Sequence, residues 1–139
     1  MKKAIVLVSG GMDSCVTASC AKQEGFQLSF LHINYGQRTQ KRELKSFHEI
    51  STFFDVKEKL IIDMKYFADI GGSCLTDKNI DVPKGDLDNN HIPISYVPFR
   101  NANILAAATS WAEVLKAEAI YIGAVEEDSS GYPDCRRNF

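Results

Sequence analysis

The chain has little net charge, few cysteines and no long apolar run, and each shortage excludes a class of protein. Its four cysteines, at 15, 20, 74 and 135, form no C-x-x-C pair. They exclude a disulfide framework and read as scattered reduced thiols of a cytoplasmic protein. The same spacing rules out a tetrahedral zinc site built from these four. The three histidines, at 32, 48 and 91, show no metal spacing either. His32 falls in a strand pattern and His48 in a helix pattern, which reads as structural. A formal net charge of -2 gives no electrostatic case for binding nucleic acid or a membrane surface. No apolar run approaches a membrane span, and MKKAIVLVSGG is too short and too soon interrupted for a signal peptide. No internal repeat or low-complexity tract is present. What remains is 139 residues, 45% hydrophobic and 24% charged, enough for one domain with its own core.

The informative stretch is AIVLVSGGMDSCVTASCAKQE, residues 4–24. Ala4 to Val8 reads as a strand buried on both faces, because it is aliphatic without alternation. Gly10 and Gly11 allow a tight turn and close approach of backbone to a ligand. Asp13 and Ser14 are helix-start residues, and Gly25 marks a stop. Strand, glycine turn and helix N-terminus together make an anion site, since free N–H groups and the helix dipole face what lies above the turn. The turn has no lysine, so it is not a G-x-x-x-x-G-K-[ST] loop, and G-x-G-x-x-G is absent. SGGMDS instead resembles the SGGxDS signature of the PP-loop ATP pyrophosphatases. That resemblance implies that Val8, Ser9, Gly10, Gly11, Met12, Asp13, Ser14, Cys15, Val16, Thr17 and Ala18 bind ATP. The Ser9 and Ser14 hydroxyls and the Gly10 and Gly11 amides would hold pyrophosphate, and Asp13 would place a magnesium ion or order the loop.

Further along, Leu28–Asn34 reads as a second strand and Gln37–Asp55 as an amphipathic helix. Leu44, Phe47, Ile50 and Phe54 carry its apolar stripe, while Lys41, Arg42, Glu43, Lys45 and Glu49 mostly face water. In the first helix the apolar side is read as Val16, Ala18, Cys20 and Ala21. Lys57–Asp63 is a third strand centred on Leu60, Ile61 and Ile62, and Met64–Ile70 a helical turn or two. Gly71–Ile92 has little periodicity and reads as a lid or a disordered stretch. Ile94–Pro98 is extended. Arg100-Asn101 opens a helix lined by Ile104, Leu105, Ala108, Trp111, Ala112 and Leu115, and Ala119–Val125 is a fourth strand. Strands separated by helices imply a parallel sheet with right-handed crossovers. The expected class is α/β: a Rossmann-like sheet of the HUP (adenine nucleotide alpha hydrolase-like) type, with helices on both faces and strand order 3-2-1-4. The switch point then sets SGGMDS beside the loop after the fourth strand. Residues 1–139 are read as a single PP-loop ATP-binding domain, incomplete at its C-terminus.

YGQRTQKRE, GGSCLTD, IPISYVPFRN and GAVEEDSSGYPDCR, in this order, resemble the block motifs of the 7-cyano-7-deazaguanine synthase family, QueC, of queuosine biosynthesis. The resemblance runs from residue 3 to the end. It implies an ATP-dependent C–N ligase that adenylates the carboxylate of 7-carboxy-7-deazaguanine and joins it to ammonia. A second activation then permits dehydration to the nitrile. ATP and magnesium are the implied cofactors and the partners are small molecules, with no direct nucleic acid and no membrane; a homodimer is one open arrangement. The catalytic candidates are Asp13, Arg38 and Arg100, and the substrate candidates Tyr35, Gln37, Arg38, Arg100, Asn101, Tyr132, Asp134 and Arg136.

Arg38 or Arg100 would hold a phosphate or the substrate carboxylate in a bidentate fork. Asp134 would accept from the N–H edge of a deazaguanine, and Tyr132 or Tyr35 would stack on its plane. Each has a plainer reading. Arg38 fits a solvated helix face, Asn101 a helix cap, Tyr132-Pro133 a turn, and Cys15 a small packing thiol rather than a nucleophile. The family is longer and carries a four-cysteine zinc site near its C-terminus, so zinc is expected only through that cluster and not through these residues. Arg137-Asn138 stands where the family usually has an acidic residue. Another PP-loop enzyme acting on tRNA or a small molecule, and a nucleotide-binding fragment without catalysis, are the competing readings.

Overall fold

Aliphatic residues at every position of the first strand are explained by what covers it. The computed structural model describes residues 1–70 and 99–123. In it β1 (Lys3–Leu7), β2 (Gln27–Asn34), β3 (Glu58–Asp63) and β4 (Ala119–Tyr121) form one parallel sheet in the order β3-β2-β1-β4. Helices α1 (Met12–Gln23) and α2 (Gln40–Phe53) cover one face, and α3 (Tyr66–Ile70) and α4 (Arg100–Leu115) the other. The strand period of two divides β1 between them. Val6 packs with Ala18, Ala21, Phe30 and Phe47, whereas Ile5 packs with Leu31, Phe67, Ile104 and Ala108. Strand order and two-sided cover are those the sequence predicts.

Several local expectations are corrected. Val16 is 56% exposed and Cys20 exposed; α1 instead buries Ser14, Ala18 and Ala21. Residues two apart lie about 200° around a helix from each other, so 16 and 20 cannot share a face with 18. β3 stands at the sheet edge among the described residues, as the expected order 3-2-1-4 has it. Leu60 and Ile62 pack inward while Ile61 is 40% exposed. α2 begins at Gln40, not Gln37, because the Gln37 side chain is spent on the turn before the helix. β4 ends at Tyr121, and residues 124–125 of the expected fourth strand lie outside the described residues, as do Gly71–Ile92 and Ile94–Pro98.

Two groups invite measurement. The hydroxyl of Ser29, buried within β2, has no hydrogen-bond partner. Ser29→Ala removes that orphan and should raise stability by about 1 kcal/mol in urea denaturation. Tyr121 donates to the Glu24 carboxylate, and this bond, with burial and the nearby negative charge, pushes its phenol up to about 12. Only the protonated phenol can donate. The bond's contribution is therefore complete below a tyrosine's ordinary pKa and is lost as pH rises towards about 12. Absorbance titration of tyrosinate should show Tyr121 ionising late, and Glu24→Gln should bring it earlier.

Candidate functional site

The site grows from the turn after β1. Gly11, with extended backbone (φ -88, ψ 176), is the N-cap of α1 and no side chain caps the helix. The expected starters sit one step in. Asp13 is in the first turn, and Ser14 is buried with its Oγ folded back to accept from the Ser9 N–H at 2.9 Å and lie 3.1 Å from Ser9 Oγ. The two serines thus hold the turn closed. Gly10 has φ +95, and a Cβ there would stand 2.7 Å from Ser46 Cβ and 2.9 Å from the Glu43 carbonyl oxygen. The turn therefore rests directly on α2, which only glycine permits. Behind it, His32 Nδ1 lies 2.8 Å from the Val8 carbonyl and Nε2 3.1 Å from Asn34 Oδ1, with the ring against Phe47. The structural reading of His32 is upheld: it props the end of β1.

A cleft of about 310 Å³ opens over the C-terminal ends of β1 and β2 and the segment after β4. The first turns of three helices face it: Met12, Asp13 and Ser14 from α1, Glu43 from α2, and Arg100 and Asn101 from α4. Helix N-termini converging on one cleft favour an anion there. Arg100 lies over the Tyr35 ring, 5.4 Å from its centroid, and donates to the Tyr35 hydroxyl at 3.1 Å. The switch point is where the topology predicts. Gly123 stands against α1, so that a Cβ on it would meet Thr17 Oγ1 at 3.1 Å and Asp13 Cβ at 3.4 Å.

The structure therefore brings together Val8, Ser9, Gly11, Met12, Asp13, Ser14, Tyr35, Arg100 and Asn101 around one space. Other candidates stand elsewhere. Ala18 is buried in the core, Val16 is exposed, Cys15 packs at the rim of the core, and Thr17 donates to the Asp13 carbonyl at 2.6 Å. Gln37 is buried, its Oε1 accepting from the Tyr35 N–H at 2.9 Å and its Nε2 donating to Glu43. Arg38 is exposed at the corner before α2 and is not among the cleft's lining. Tyr132, Asp134 and Arg136 lie outside the described residues. Among the described residues no group of three or more His, Cys, Asp or Glu could hold a metal ion, and no helix is long and apolar enough to cross a membrane. Glu43 is the residue that sequence reasoning placed wrongly. Its charge assigns it to the solvated face, yet it is half-buried and lines the cleft. The available signal is its helical phase: four residues before Phe47 and seven before Ile50, it stands on the same side of α2 as the buried stripe.

Fold and turn together define a Rossmann-like α/β domain of the PP-loop kind. Two solved structures share the fold. One is an NH3-dependent NAD synthetase from Campylobacter jejuni, in complex with the nitrate ion, with TM-score 0.57, 16% identity, and coverage of 91% of this chain and 48% of that one. The other is a predicted subunit of tRNA methyltransferase from Methanocaldococcus jannaschii, with TM-score 0.58, 16% identity, and coverage of 94% and 57%. The sequence narrows the class. The profile of the queuosine biosynthesis protein QueC matches residues 3–139, and the chain belongs to that family. It is similar to 7-cyano-7-deazaguanine synthases of Chlorobium chlorochromatii (56% identical over 137 residues) and Chlorobaculum tepidum (54% over 137). Each match covers 99% of this chain and 60% of the relative, so the chain spans about three fifths of the length of these curated relatives.

The two glycines of the turn should part company on substitution. Gly10→Ala meets both a positive φ and a hard contact with α2, and should cost at least about 2 kcal/mol in urea denaturation. Gly11→Ala meets nothing within 4 Å. It should therefore cost only the N-cap preference of glycine over alanine, about 1 kcal/mol in the same denaturation.

Proposed function

We propose that this chain carries the ATP-activating site of a 7-cyano-7-deazaguanine synthase. The observation that supports it most is the SGGMDS turn, closed by Ser9 and Ser14 and seated at the mouth of a parallel sheet, in a chain of the QueC family. A carboxylate is a poor acyl donor until its oxygen becomes part of a good leaving group. In the proposed reaction the carboxylate oxygen of 7-carboxy-7-deazaguanine attacks the α-phosphorus of ATP, and pyrophosphate departs onto the turn. Ammonia then displaces AMP to give the amide. Transfer of a second adenylyl group to the amide oxygen, followed by loss of AMP and protons from nitrogen, leaves the nitrile.

Preorganised dipoles do the work at the turn. The backbone amides of Gly10 and Gly11, the Ser9 hydroxyl and the N-terminus of α1 stabilise the negative charge of departing pyrophosphate. Asp13 presents a hard oxygen donor at the cleft wall and would hold the magnesium that accompanies ATP. That ion supplies Lewis-acid stabilisation of the phosphate oxygens. Arg100, oriented by the Tyr35 ring and hydroxyl, takes the substrate carboxylate or the α-phosphate in a bidentate fork. Asn101 adds a donor and an acceptor beside it. Arg38 acts from the rim, and Tyr132, Asp134 and Arg136 supply the contacts to the deazaguanine. Zinc belongs to the remaining part of the longer relatives.

The test is mass spectrometry of a reaction holding this chain, ATP, magnesium, ammonium and 7-carboxy-7-deazaguanine. Substrate-dependent nitrile and AMP are expected. Absence of product both here and from a version extended to the relatives' length would overturn the reading. Arg100→Lys keeps the charge but loses the fork, and should lower kcat/KM by at least about tenfold. Asp134→Ala should raise the KM for the deazaguanine and leave that for ATP within about twofold.

A further inference from the structure

We infer that Glu43 is a positioning residue that sets the Tyr35–Arg100 wall of the cleft through Gln37. This rests on the reading of the cleft given above and adds to it a residue whose side chain acts through Gln37. Its carboxylate accepts from Gln37 Nε2. The other end of that amide, Oε1, accepts from the Tyr35 N–H at 2.9 Å, and Nε2 also reaches the Ile33 carbonyl at 3.5 Å. Tyr35 in turn carries Arg100, on its ring face and at its hydroxyl. The chain of contacts thus runs from the first turn of α2 through one buried amide to the guanidinium at the cleft.

The same residue touches the opposite wall by its backbone. The Glu43 carbonyl oxygen and Cα lie against Gly10 of the pyrophosphate turn. One residue therefore fixes the spacing between the phosphate turn and the arginine. A primary amide has one acceptor end and one donor end. With Oε1 committed to Tyr35, Nε2 needs an acceptor in this half-buried corner, and Glu43 provides it. The side-chain position, not the negative charge, is what the wall depends on. A glutamine at 43 offers the same acceptor, so the role predicts tolerance there and intolerance of a second carboxylate at 37.

The experiment compares the parent with Glu43→Gln, Gln37→Glu and the double exchange Gln37→Glu/Glu43→Gln. Gln37→Glu keeps an acceptor for Tyr35 but sets two carboxylates against each other, and the double exchange restores one donor and one acceptor in reversed places. Two readouts are taken: kcat/KM for 7-carboxy-7-deazaguanine, and the Arg100 Nε–H resonance of the isotope-labelled chain. Glu43→Gln should stay within about threefold of the parent, Gln37→Glu should fall by at least about tenfold, and the exchange should recover most of that loss. The Arg100 resonance should move in Gln37→Glu and return in the exchange, with the Kd for ATP unchanged throughout. An exchange no better than Gln37→Glu, or a Glu43→Gln variant as impaired as Gln37→Glu, overturns the inference. The resonance decides this without turnover. If the parent makes no nitrile while Arg100 still responds as expected, the reaction assignment fails and the positioning role stands.

Discussion

The contact between Gly10 and the first turn of α2 is the constraint on which the rest of the site depends. With no Cβ and a positive φ, Gly10 lets the backbone after β1 settle against Glu43 and Ser46. That approach brings the N-terminus of α1 and the first turn of α2 to one cleft. The Ser9–Ser14 pair then closes the turn from inside, and His32 holds the Val8 carbonyl from beneath. The turn is built of backbone held by short side chains, which leaves it few degrees of freedom.

The sheet supplies the second half of the arrangement. Because β4 adds beside β1 and not beside β3, the segment after β4 reaches α1 at Gly123, and α4 packs across the opposite face from α1. The cleft lies where the strand order reverses. One of its walls is the phosphate turn, and the other is the Tyr35–Arg100 pair at the end of β2 and the start of α4. Phe99, held in the left-handed region (φ 55) with its carbonyl accepting from Asn103, turns the chain into α4 so that Arg100 enters the cleft.

The match to the QueC family runs from residue 3 to residue 139 and so includes the turn that lines the cleft. The solved structures with this fold are only 16% identical, so they speak to the sheet and not to the substrate. The substrate reading therefore rests on the family motifs, several of which lie in residues 71–98 and 124–139. Within the described residues, what stands on geometry is a cleft with a helix N-terminus at the turn on one side and one arginine on the other.

Much of this was legible in order along the chain. Aliphatic β1, the SGG turn and alternating strand and helix patterns determine a parallel sheet with cover on both faces, since local periodicity dictates which elements can bury their apolar sides. The strand order followed from topology rules. Three things needed the tertiary structure. α1 buries Ser14, Ala18 and Ala21 and leaves Val16 and Cys20 exposed, because apolar residues spread around a helix do not by themselves mark the face that packs. Gln37 is a buried brace between Tyr35 and Glu43, because a side-chain amide's partners are set by where the corner folds. Glu43 is in phase with Phe47 and Ile50, but its charge reads as water-facing; the fold gives it the cleft instead, because the turn at Gly10 packs over the first turn of α2. Periodicity gives the side of a helix that meets the rest of the chain; whether a polar residue on that side meets core, cleft or water is decided only when the chain is folded.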